Sequence, residues 1–520
     1  MRWTIALNLA LAVSSVAAQG FAAWDLSVPK RFRAPAIEAQ LQVAKAALKA
    51  QGVDILRRSD DDVTNVADIL DEPSAPLSEA TNEIPASRTA IRFGSSSGGE
   101  RDAVVHNPLI TAPVKRGCAP VYSGSRTTIK GTGTLPKPTT FVQRSGQALK
   151  VNGGNFRIVG TNIYWLCNDE NVGLPKGLPT DKGRVREALA AAVAFGANTV
   201  RLTTCATSLG SPTLLQPIAT NFADEIYWDI HDYVLFAARE YGLRVVLPLT
   251  DNEEFRFITG MAYFYTISYD YYHGGKYTFL RWKNLSSGQY GAQFFTNSQA
   301  WSAYMGYVRT VMNRRNKYSR VQYKNDPTIL AWETGNELGA YFGREGYPPQ
   351  AWTGKAAGLI KGLAPNTLVI DGTDGLWNYT TGAIPQGGKL SIVDIVTDHV
   401  YPRNWGIIKK EISIAQGFGK NFLLGEFDWT DSNGGDSLSS FLAQARKQPT
   451  LGALVWNMFA HDAQCCNYVT HNEPYSIYYP NCNSASDQEK VLQLSQFFYK
   501  ATGRTAPRTL VAVACPQPVF

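Results

Sequence analysis

Short apolar segments alternate with longer amphipathic segments from about residue 140 onward. Apolar runs bounded by turn residues are typical of buried strands, and apolar positions three and four residues apart are typical of helices. The apolar runs predict eight strands, at 156–166, 198–204, 244–250, 328–337, 367–373, 392–401, 421–427 and 451–459. The amphipathic segments predict helices at 181–195, 227–241, 298–316, 351–363, 405–417 and 487–501. Between the fifth and sixth strands the helical pattern is weak.

A regular alternation of strands and helices predicts a parallel sheet wrapped by helices. Because eight such units close into a barrel, the predicted fold is an α/β protein with a (β/α)8 TIM barrel over residues 139–520. The segment 251–297 interrupts the alternation after the third strand and is rich in Tyr and Phe. It is predicted to be a long loop, and long loops in compact domains commonly carry functional residues.

The first part of the chain lacks this alternation. Residues 1–18 contain Arg2, an apolar stretch and a small-residue end, which is typical of a cleaved secretory signal peptide. The apolar stretch is shorter than the roughly 20 residues that span a bilayer, so no membrane anchor is predicted. Residues 19–138 are rich in Ser, Pro, Ala and mixed charge, which predicts a largely unstructured N-terminal extension, either a propeptide or a low-complexity linker. The basic pair Lys115 and Arg116 favours a propeptide cut at that point, and an ordinary surface pair is the alternative.

Composition indicates a folded domain with a large core, since 44% of the residues are apolar and 18% are charged. The net charge of +7 includes no basic run with interleaved aromatic residues, so no nucleic-acid partner is predicted. Two sequons, which begin at Asn284 and Asn378, agree with a secreted glycoprotein.

The seven cysteines of an exported chain predict disulfides and leave at least one cysteine outside intrachain pairs. Cys167 and Cys205 follow the first and second predicted strands, so neighbouring barrel loops can bridge them. Cys465, Cys466 and Cys482 cluster after the last strand. No CxxC or HxxxH spacing occurs, and no metal site is predicted.

Two glutamates stand where an apolar strand becomes polar: Glu337 in AWETGNELG and Glu426 in FLLGEFDW. Both fall at the C-terminal ends of predicted strands, where barrels of this kind place their reactive groups. Two carboxyl groups that meet at one point are the minimal equipment for cleaving a glycosidic bond. The alternative for either glutamate alone is an ordinary loop carboxylate. Asn336 precedes Glu337, and both side chains can reach one site only if the backbone is irregular there.

Further strand-end residues can tune these carboxyl groups. Arg201 is always cationic and would hold a nearby glutamate ionised. His399 and Tyr401 face the same way on the sixth strand and can hydrogen-bond a carboxylate or a sugar hydroxyl. Trp456 offers a flat apolar face to a sugar ring. The alternatives are a structural ion pair for Arg201, a buried imidazole for His399, and barrel core for Tyr401 and Trp456. Because such residues occur at the ends of several strands, a functional site is favoured. Further candidate sugar platforms, with core packing as the alternative, are Trp165, Trp377, Trp405 and Trp429.

These motifs, in this order, resemble glycoside hydrolase family 5, and within it the fungal and plant endo-β-1,4-mannanases. The resemblance covers roughly residues 150–500 and is carried by GGKYTFLRW, FFTNSQAWSAYMGYVRTVMNRRN, YKNDPTILAWETGNELG, DHVYPRNW and GEF. It implies a retaining hydrolase of β-1,4-linked mannan, with Glu337 as acid/base and Glu426 as nucleophile. It also implies that Asn336 contacts the sugar 2-hydroxyl and that Arg201 and Tyr401 support the nucleophile. In the same resemblance His399 lines the site and Trp456 stacks under the sugar.

The chain departs from the usual mannanase pattern at Leu338, where those enzymes carry proline, and at Asp428 and Trp429 after the nucleophile. Substrate preference therefore stays open between mannan and β-glucan. A catalytically inactive carbohydrate-binding wall protein is the alternative from a different class. The expected partner is a cell-wall polysaccharide, and the expected protein is a secreted monomer. No cofactor, metal or membrane partner is expected.

Overall fold

The structure is a computed structural model that describes residues 135–172, 178–210, 215–252, 274–339, 347–378, 381–432, 434–471, 473–480 and 483–519. All of these residues belong to one compact unit, Ala112–Phe520. The predicted signal peptide at 1–18 and nearly all of the predicted extension at 19–138 lie outside the described residues. The domain boundary at residue 139 therefore stays a prediction.

Eight of the strands close into a barrel. The described strands, in chain order, are β1 Gln143–Ser145, β2 Ala148–Val151, β3 Gly154–Phe156, β4 Val159–Asn162, β5 Asn168–Asp169, β6 Leu178–Pro179, β7 Thr199–Arg201, β8 Arg244–Pro248, β9 Ile329–Glu333, β10 Leu368–Asp371, β11 Ile395–Val400, β12 Asn421–Phe427, β13 Gly452–Val455, β14 Met458–Phe459 and β15 Ile477–Tyr478. Parallel pairing runs from β7 through β13, and β4 closes the ring between β13 and β7. Each predicted strand contains one observed barrel strand, so the predicted (β/α)8 fold is confirmed.

Helices surround the barrel at the predicted intervals. The described α-helices are α1 Lys182–Phe195, α2 Glu225–Tyr241, α3 Lys276–Trp282, α4 Gly288–Gly291, α5 Gln293–Thr296, α6 Ser298–Asn313, α7 Gln350–Leu363, α8 Trp405–Gly417, α9 Leu438–Arg446 and α10 Ala485–Ala501. Between β10 and β11 the described residues include only a 3-10 turn, Gly387–Lys389, in agreement with the weak helical pattern there.

Two elements differ from the sequence-based expectation. Helix α9 is not anticipated, because its 9 residues provide few periodic positions. The prediction of a loop over 251–297 is wrong for its described C-terminal part, which contains α3, α4 and α5. Phe279 and Phe294 in this part are fully buried, because the aromatic residues of the segment pack into the core.

Two apolar layers stabilise the barrel. One cluster contains strand residues such as Val246, Leu330 and Ile370. It also contains Leu149 from β2 of the small antiparallel sheet β1–β2–β3, and Val142, the residue before β1. The cluster also includes Leu368 and Ile395, the first residues of β10 and β11, so the small sheet packs at the end where the strands begin. The larger cluster lies between the strands and the helices. The C-terminal ends of the strands are therefore left to carry polar groups.

Two disulfides join segments beyond the strand ends. Cys167–Cys205 links the segments after β4 and β7, which confirms the predicted bridge. Cys465–Cys515 ties the segment after β14 to the C-terminal tail, a pairing that the sequence did not indicate. None of the described helices has the length and apolar character that crossing a bilayer requires.

Candidate active site

The C-terminal ends of the barrel strands bring together most of the predicted site residues. At or just beyond the ends of β7, β9, β11, β12 and β13 lie Arg201, Asn336, Glu337, His399, Tyr401, Glu426 and Trp456. These positions belong to separate parts of the chain, and closure of the barrel makes them neighbours.

Arg201 lies at the centre of this group and is 1% exposed. Its Nε and Nη2 donate to the two carboxylate oxygens of Glu333 at 2.8 and 3.2 Å, and its Nη1 donates to Oε1 of Glu426 at 2.8 Å. Nη1 also donates to Oδ1 of Asn162 at 3.2 Å. A guanidinium has five N–H donors in a fixed plane, so this one residue sets the positions of both carboxylates.

Glu426 is buried on β12, and its two oxygens have separate partners. Arg201 donates to Oε1, and the hydroxyl of Tyr401 donates to Oε2 at 3.1 Å. Burial raises the pKa of Glu426, and the charge of Glu337 acts in the same direction. Arg201 and Tyr401 oppose this rise because they stabilise the ionised form.

Glu337 approaches the same point from the segment after β9. Its Oε1 is 2.6 Å from Nδ1 of His399, and that nitrogen is 3.4 Å from Oε1 of Glu426. One carboxylate oxygen of Glu337 and one of Glu426 lie within 4.8 Å of each other. The expected convergence of the two glutamates is therefore observed.

The backbone leaves β9 before Asn336 and Glu337, so these adjacent residues are not forced to point to opposite faces of a strand. The strand ends at Glu333, and Glu337 has a φ of +53°, in the left-handed region that non-glycine residues rarely adopt. Asn336 can therefore turn towards Arg201, whose Nη2 donates to Oδ1 of Asn336 at 2.5 Å, while Glu337 turns towards His399. Strain of this kind is common at functional sites.

His399 fits against β12 because residue 425 is glycine. The pairing of β11 with β12 shifts register between Asp398 and His399, opposite Gly425. A Cβ added to Gly425 would lie 2.7 Å from Nε2 of His399 and 2.7 Å from Oγ1 of Thr397. Burial lowers the pKa of His399 to about 4, so the ring is neutral at neutral pH.

Trp456 is half-buried, and the protein contacts its polar edge and one of its faces. Its Nε1 donates to Oε1 of Glu473 at 2.7 Å. The ring of Tyr164 stacks on it with centroids 5.4 Å apart and an interplanar angle of 13°. Such a ring can stack against a sugar on its opposite face.

The structure contradicts the prediction that Trp165 and Trp429 are sugar platforms. Their exposed fractions are 0% and 1%. Trp165 donates to the carbonyl of Met458 at 3.0 Å and lies under the guanidinium of Arg184, and Trp429 donates to the carbonyl of Tyr475 at 2.5 Å. Both indoles therefore belong to the core.

Trp377 and Trp405 are half-buried and remain candidates for contact with a ligand. The ammonium group of Lys410 lies 2.9 Å from the ring centroid of Trp377, so one face of that indole is occupied. Trp405 packs edge-on against Phe441, with centroids 6.2 Å apart. The sugar-platform role of both residues stays a prediction.

Sequence reasoning missed several residues of this site. Glu333 and Asn162 are polar residues at the ends of apolar strands, and a buried charge requires a partner, so Glu333 was recognisable in principle. Glu473 carries no such signal, because it reaches Trp456 from a segment outside the barrel strands. Asp251 was missed as well: the Nδ2 of Asn336 lies 3.4 Å from both of its carboxylate oxygens.

A cluster of buried carboxyl groups lies behind His399. Oδ1 of Asp398 accepts the backbone N–H of His399 at 2.8 Å, and Oε1 of Glu411 accepts the backbone N–H of Leu376 at 2.9 Å. Burial raises the pKa of Asp374 and of Asp398 well above the usual range, and that of Glu411 to about 7. These groups therefore share protons rather than carry three negative charges.

Two groups of described residues have the spacing of metal ligands. In the first, Glu187, His461 and Cys515, the sulfur of Cys515 is bound to Cys465 and is not a thiolate. The second is Glu337, His399 and Glu426. Here the Arg201 guanidinium contacts Glu426 and would repel a cation.

A family model described as GH family 5 beta-mannosidase-like matches residues 139–432. The chain therefore belongs to this family of glycoside hydrolases. The match ends before β13, so it does not include Trp456 or Glu473.

Individual relatives share less than a third of the aligned residues with this chain. The chain is similar to mannan endo-1,4-beta-mannosidase 1 of Oryza sativa subsp. japonica, with 29% identity over 282 residues, which are 51% of this chain and 60% of that protein. It is also similar to mannan endo-1,4-beta-mannosidase 7 of Arabidopsis thaliana, with 27% identity over 53% of this chain and 61% of that protein. The chain thus spans about 60% of the length of these relatives.

Solved structures share the fold. The endo-beta-1,4-mannanase from Thermotoga petrophila superposes with a TM-score of 0.53 and 21% identity, covering 69% of this chain and 79% of that one. The endo-1,4-beta-mannanase from Rhizomucor miehei gives a TM-score of 0.53 and 20% identity, covering 70% of this chain and 100% of that one. At these identities the likeness supports the barrel fold.

Proposed function

We propose that this chain is a retaining glycoside hydrolase that cleaves β-1,4-mannosidic bonds in mannan-type polysaccharides by double displacement. The observation that carries the proposal is the approach of Glu337 and Glu426 to within 4.8 Å between carboxylate oxygens. Retaining enzymes hold the two carboxyl groups about 5–5.5 Å apart, whereas inverting enzymes need about 6.5–9.5 Å to admit a water molecule.

In the first step Glu426 attacks the anomeric carbon and Glu337 donates its proton to the departing glycosidic oxygen. The attack requires an ionised Glu426, and the hydrogen bonds from Arg201 and Tyr401 favour that form. The 2.6 Å contact between Glu337 and His399 requires a proton on one of the two atoms. Neutral His399 with its proton on Nδ1 donates to Oε1 of Glu337 in both steps, which leaves Oε2 to carry the proton that goes to the glycosidic oxygen.

In the second step water breaks the bond between the sugar and Glu426. Glu337, now ionised, takes a proton from the water as its oxygen attacks the anomeric carbon, which releases Glu426 as a carboxylate. The step restores both groups, so the cycle consumes one water and needs no cofactor.

Mannan is the proposed substrate because the relatives above are named as mannan endo-1,4-beta-mannosidases. Trp456 supplies the stacking surface at the cleavage point, and Asn336, held by Arg201, lies next to Glu337 where it can meet a sugar hydroxyl. The chain is further proposed to be a secreted monomer whose signal peptide is residues 1–18. The two disulfides among the described residues support export to an oxidising environment.

Product release from mannan, glucomannan, cellulose and β-1,3-glucan tests the substrate. We expect reducing sugars from mannan and glucomannan, and NMR of the first product should show the β-anomer. Release from the glucans alone would contradict the mannan assignment, an initial α-anomer would contradict the retaining mechanism, and binding to mannan without any product would favour the inactive wall protein.

A further inference from the structure

Glu473 reaches the site from the segment between β14 and β15. Its Oε1 accepts hydrogen bonds from Nε1 of Trp456 and Nδ2 of Asn457, each at 2.7 Å. Tyr164 covers one face of Trp456. Glu473 and Tyr164 together fix the orientation of the indole, and the face opposite Tyr164 is the one that a ligand can reach.

The second carboxylate oxygen of Glu473 is in a different situation. Oε2 lies 3.7 Å from Nε2 of His471, which exceeds hydrogen-bonding distance. Burial lowers the pKa of His471 to about 4, so this ring is neutral at neutral pH and forms no ion pair. The side chain of Glu473 keeps 17% of its exposure. A carboxyl oxygen beside a half-buried indole can therefore meet a ligand.

Glu473 also lies on the same side of the site as the proposed nucleophile. The backbone N–H of Trp456 donates at 3.2 Å to the carbonyl of Phe427, the residue after Glu426. The rings of Tyr401 and Tyr475 are 5.3 Å apart, and Tyr475 is two residues beyond Glu473. Burial raises the pKa of Tyr401 well above its usual range and that of Glu473 to about 8, and the charge of Glu426 acts in the same direction on both.

We propose that Glu473 is a specificity-determining residue, whose Oε2 hydrogen-bonds a hydroxyl of the mannosyl unit that stacks on Trp456. This inference rests on the proposed function and adds a residue outside the matched family segment. Stacking selects a flat sugar face but not its rotation, whereas a hydrogen bond to one hydroxyl fixes that rotation. Sites built around such a bond discriminate strongly against ligands that lack the hydroxyl.

Glu473→Gln is the informative variant. Glutamine keeps an oxygen that can accept from Trp456 and Asn457, but its amide NH2 group can only donate. Binding is measured at pH 9, because burial raises the pKa of Glu473 to about 8 and Oε2 is an ionised acceptor above that pH. Mannohexaose binding is measured by calorimetry in a Glu337→Gln parent, in which hydrolysis is suppressed. We expect the Kd to rise about tenfold or more when Glu473→Gln is added, with the tryptophan fluorescence spectrum unchanged. The matched control is Glu225→Gln, which alters an exposed carboxylate that pairs with Arg314, and its Kd should stay within about threefold.

A Kd within twofold of the parent, or an equal rise in the Glu225→Gln control, would overturn the inference. If Glu473→Gln does not fold, Glu473→Asp is measured instead, since it withdraws the carboxylate by one methylene and should raise the Kd similarly. Failure of the proposed function is distinguishable: a wild-type protein that binds mannohexaose but releases no product overturns that function alone. A parent that does not bind mannohexaose overturns both.

Discussion

Arg201 and Glu426 form a buried ion pair in which Nη1 donates to Oε1 at 2.8 Å. The same guanidinium also binds Glu333, so one cation lies between two carboxylates inside the barrel. Removing a buried cation leaves its partners charged and without compensation. The pair therefore links the chemistry of Glu426 to the stability of the barrel.

Replacement of Arg201 with methionine is expected to lower the free energy of unfolding by about 3–5 kcal/mol, because Glu333 and Glu426 lose their buried partner. Urea denaturation measures the loss. Lys182→Met is the matched control, since Lys182 pairs with Asp229 at the surface and should cost less than about 1 kcal/mol. Equal losses in the two variants would contradict the central role of Arg201.

The two glutamates should differ in their response to an added nucleophile. Glu426→Ala and Glu337→Gln are each expected to reduce mannan hydrolysis by at least about 10²-fold. With Glu426→Ala, azide can enter the vacated space and attack the anomeric carbon, giving an α-linked mannosyl azide from an activated β-mannoside. Glu225→Gln, at an exposed position, should retain activity. Losses below tenfold in both variants would remove the catalytic assignment.

Gly425→Ala tests the placement of His399. The new Cβ would lie 2.7 Å from Nε2 of His399, so the ring must shift and its contact with Glu337 is disturbed. We expect kcat to fall more than about tenfold while the circular dichroism spectrum is retained. Gly358→Ala is the control, because a Cβ there meets nothing within 4 Å on the exposed face of α7. Unchanged kcat in Gly425→Ala would show that this position of His399 is not needed.

The carboxyl cluster predicts a loss of stability as the pH rises from 4.5 to about 7. Burial raises the pKa of Glu411 from 4.5 to about 7, so the folded protein binds a proton that the unfolded chain has already released. The stabilisation of the folded state by this proton is complete below pH 4.5 and disappears as the pH rises through 7. It is on the order of 3 kcal/mol. Thermal unfolding should therefore show wild type losing more stability than Glu411→Gln between pH 5 and pH 8. Parallel curves for the two proteins would contradict the raised pKa.

The two sequons should differ in glycan occupancy. Asn284 is exposed, whereas Asn378 is 6% exposed and its Oδ1 accepts the backbone N–H of Thr381. An oligosaccharide cannot be attached to the buried amide without displacing the surrounding structure. Peptide mapping of protein secreted from a eukaryotic host should find a glycan at Asn284 and none at Asn378, and the reverse pattern would be incompatible with this fold.

The barrel was predictable because its signals are local. Each strand is an apolar run, and helix α1 is bounded by Asp181, whose side chain accepts from two backbone N–H groups, and by Gly196 with a φ of +96°. The site was predictable where a polar residue ends such a run, as at Arg201 and Glu426. It was not predictable at Trp165, because an indole after a strand reads the same whether it packs into the core or faces a ligand.

The sequence by itself determined the order of the strands, the end of the barrel that carries polar groups and the two glutamates that converge there. These features follow from residue type and spacing along the chain. Only the tertiary structure decided that Glu333 shares Arg201 with Glu426, that Trp429 is core and that Glu473 binds Trp456. Such contacts join residues that are far apart in the chain, and their geometry exists only after the barrel has closed.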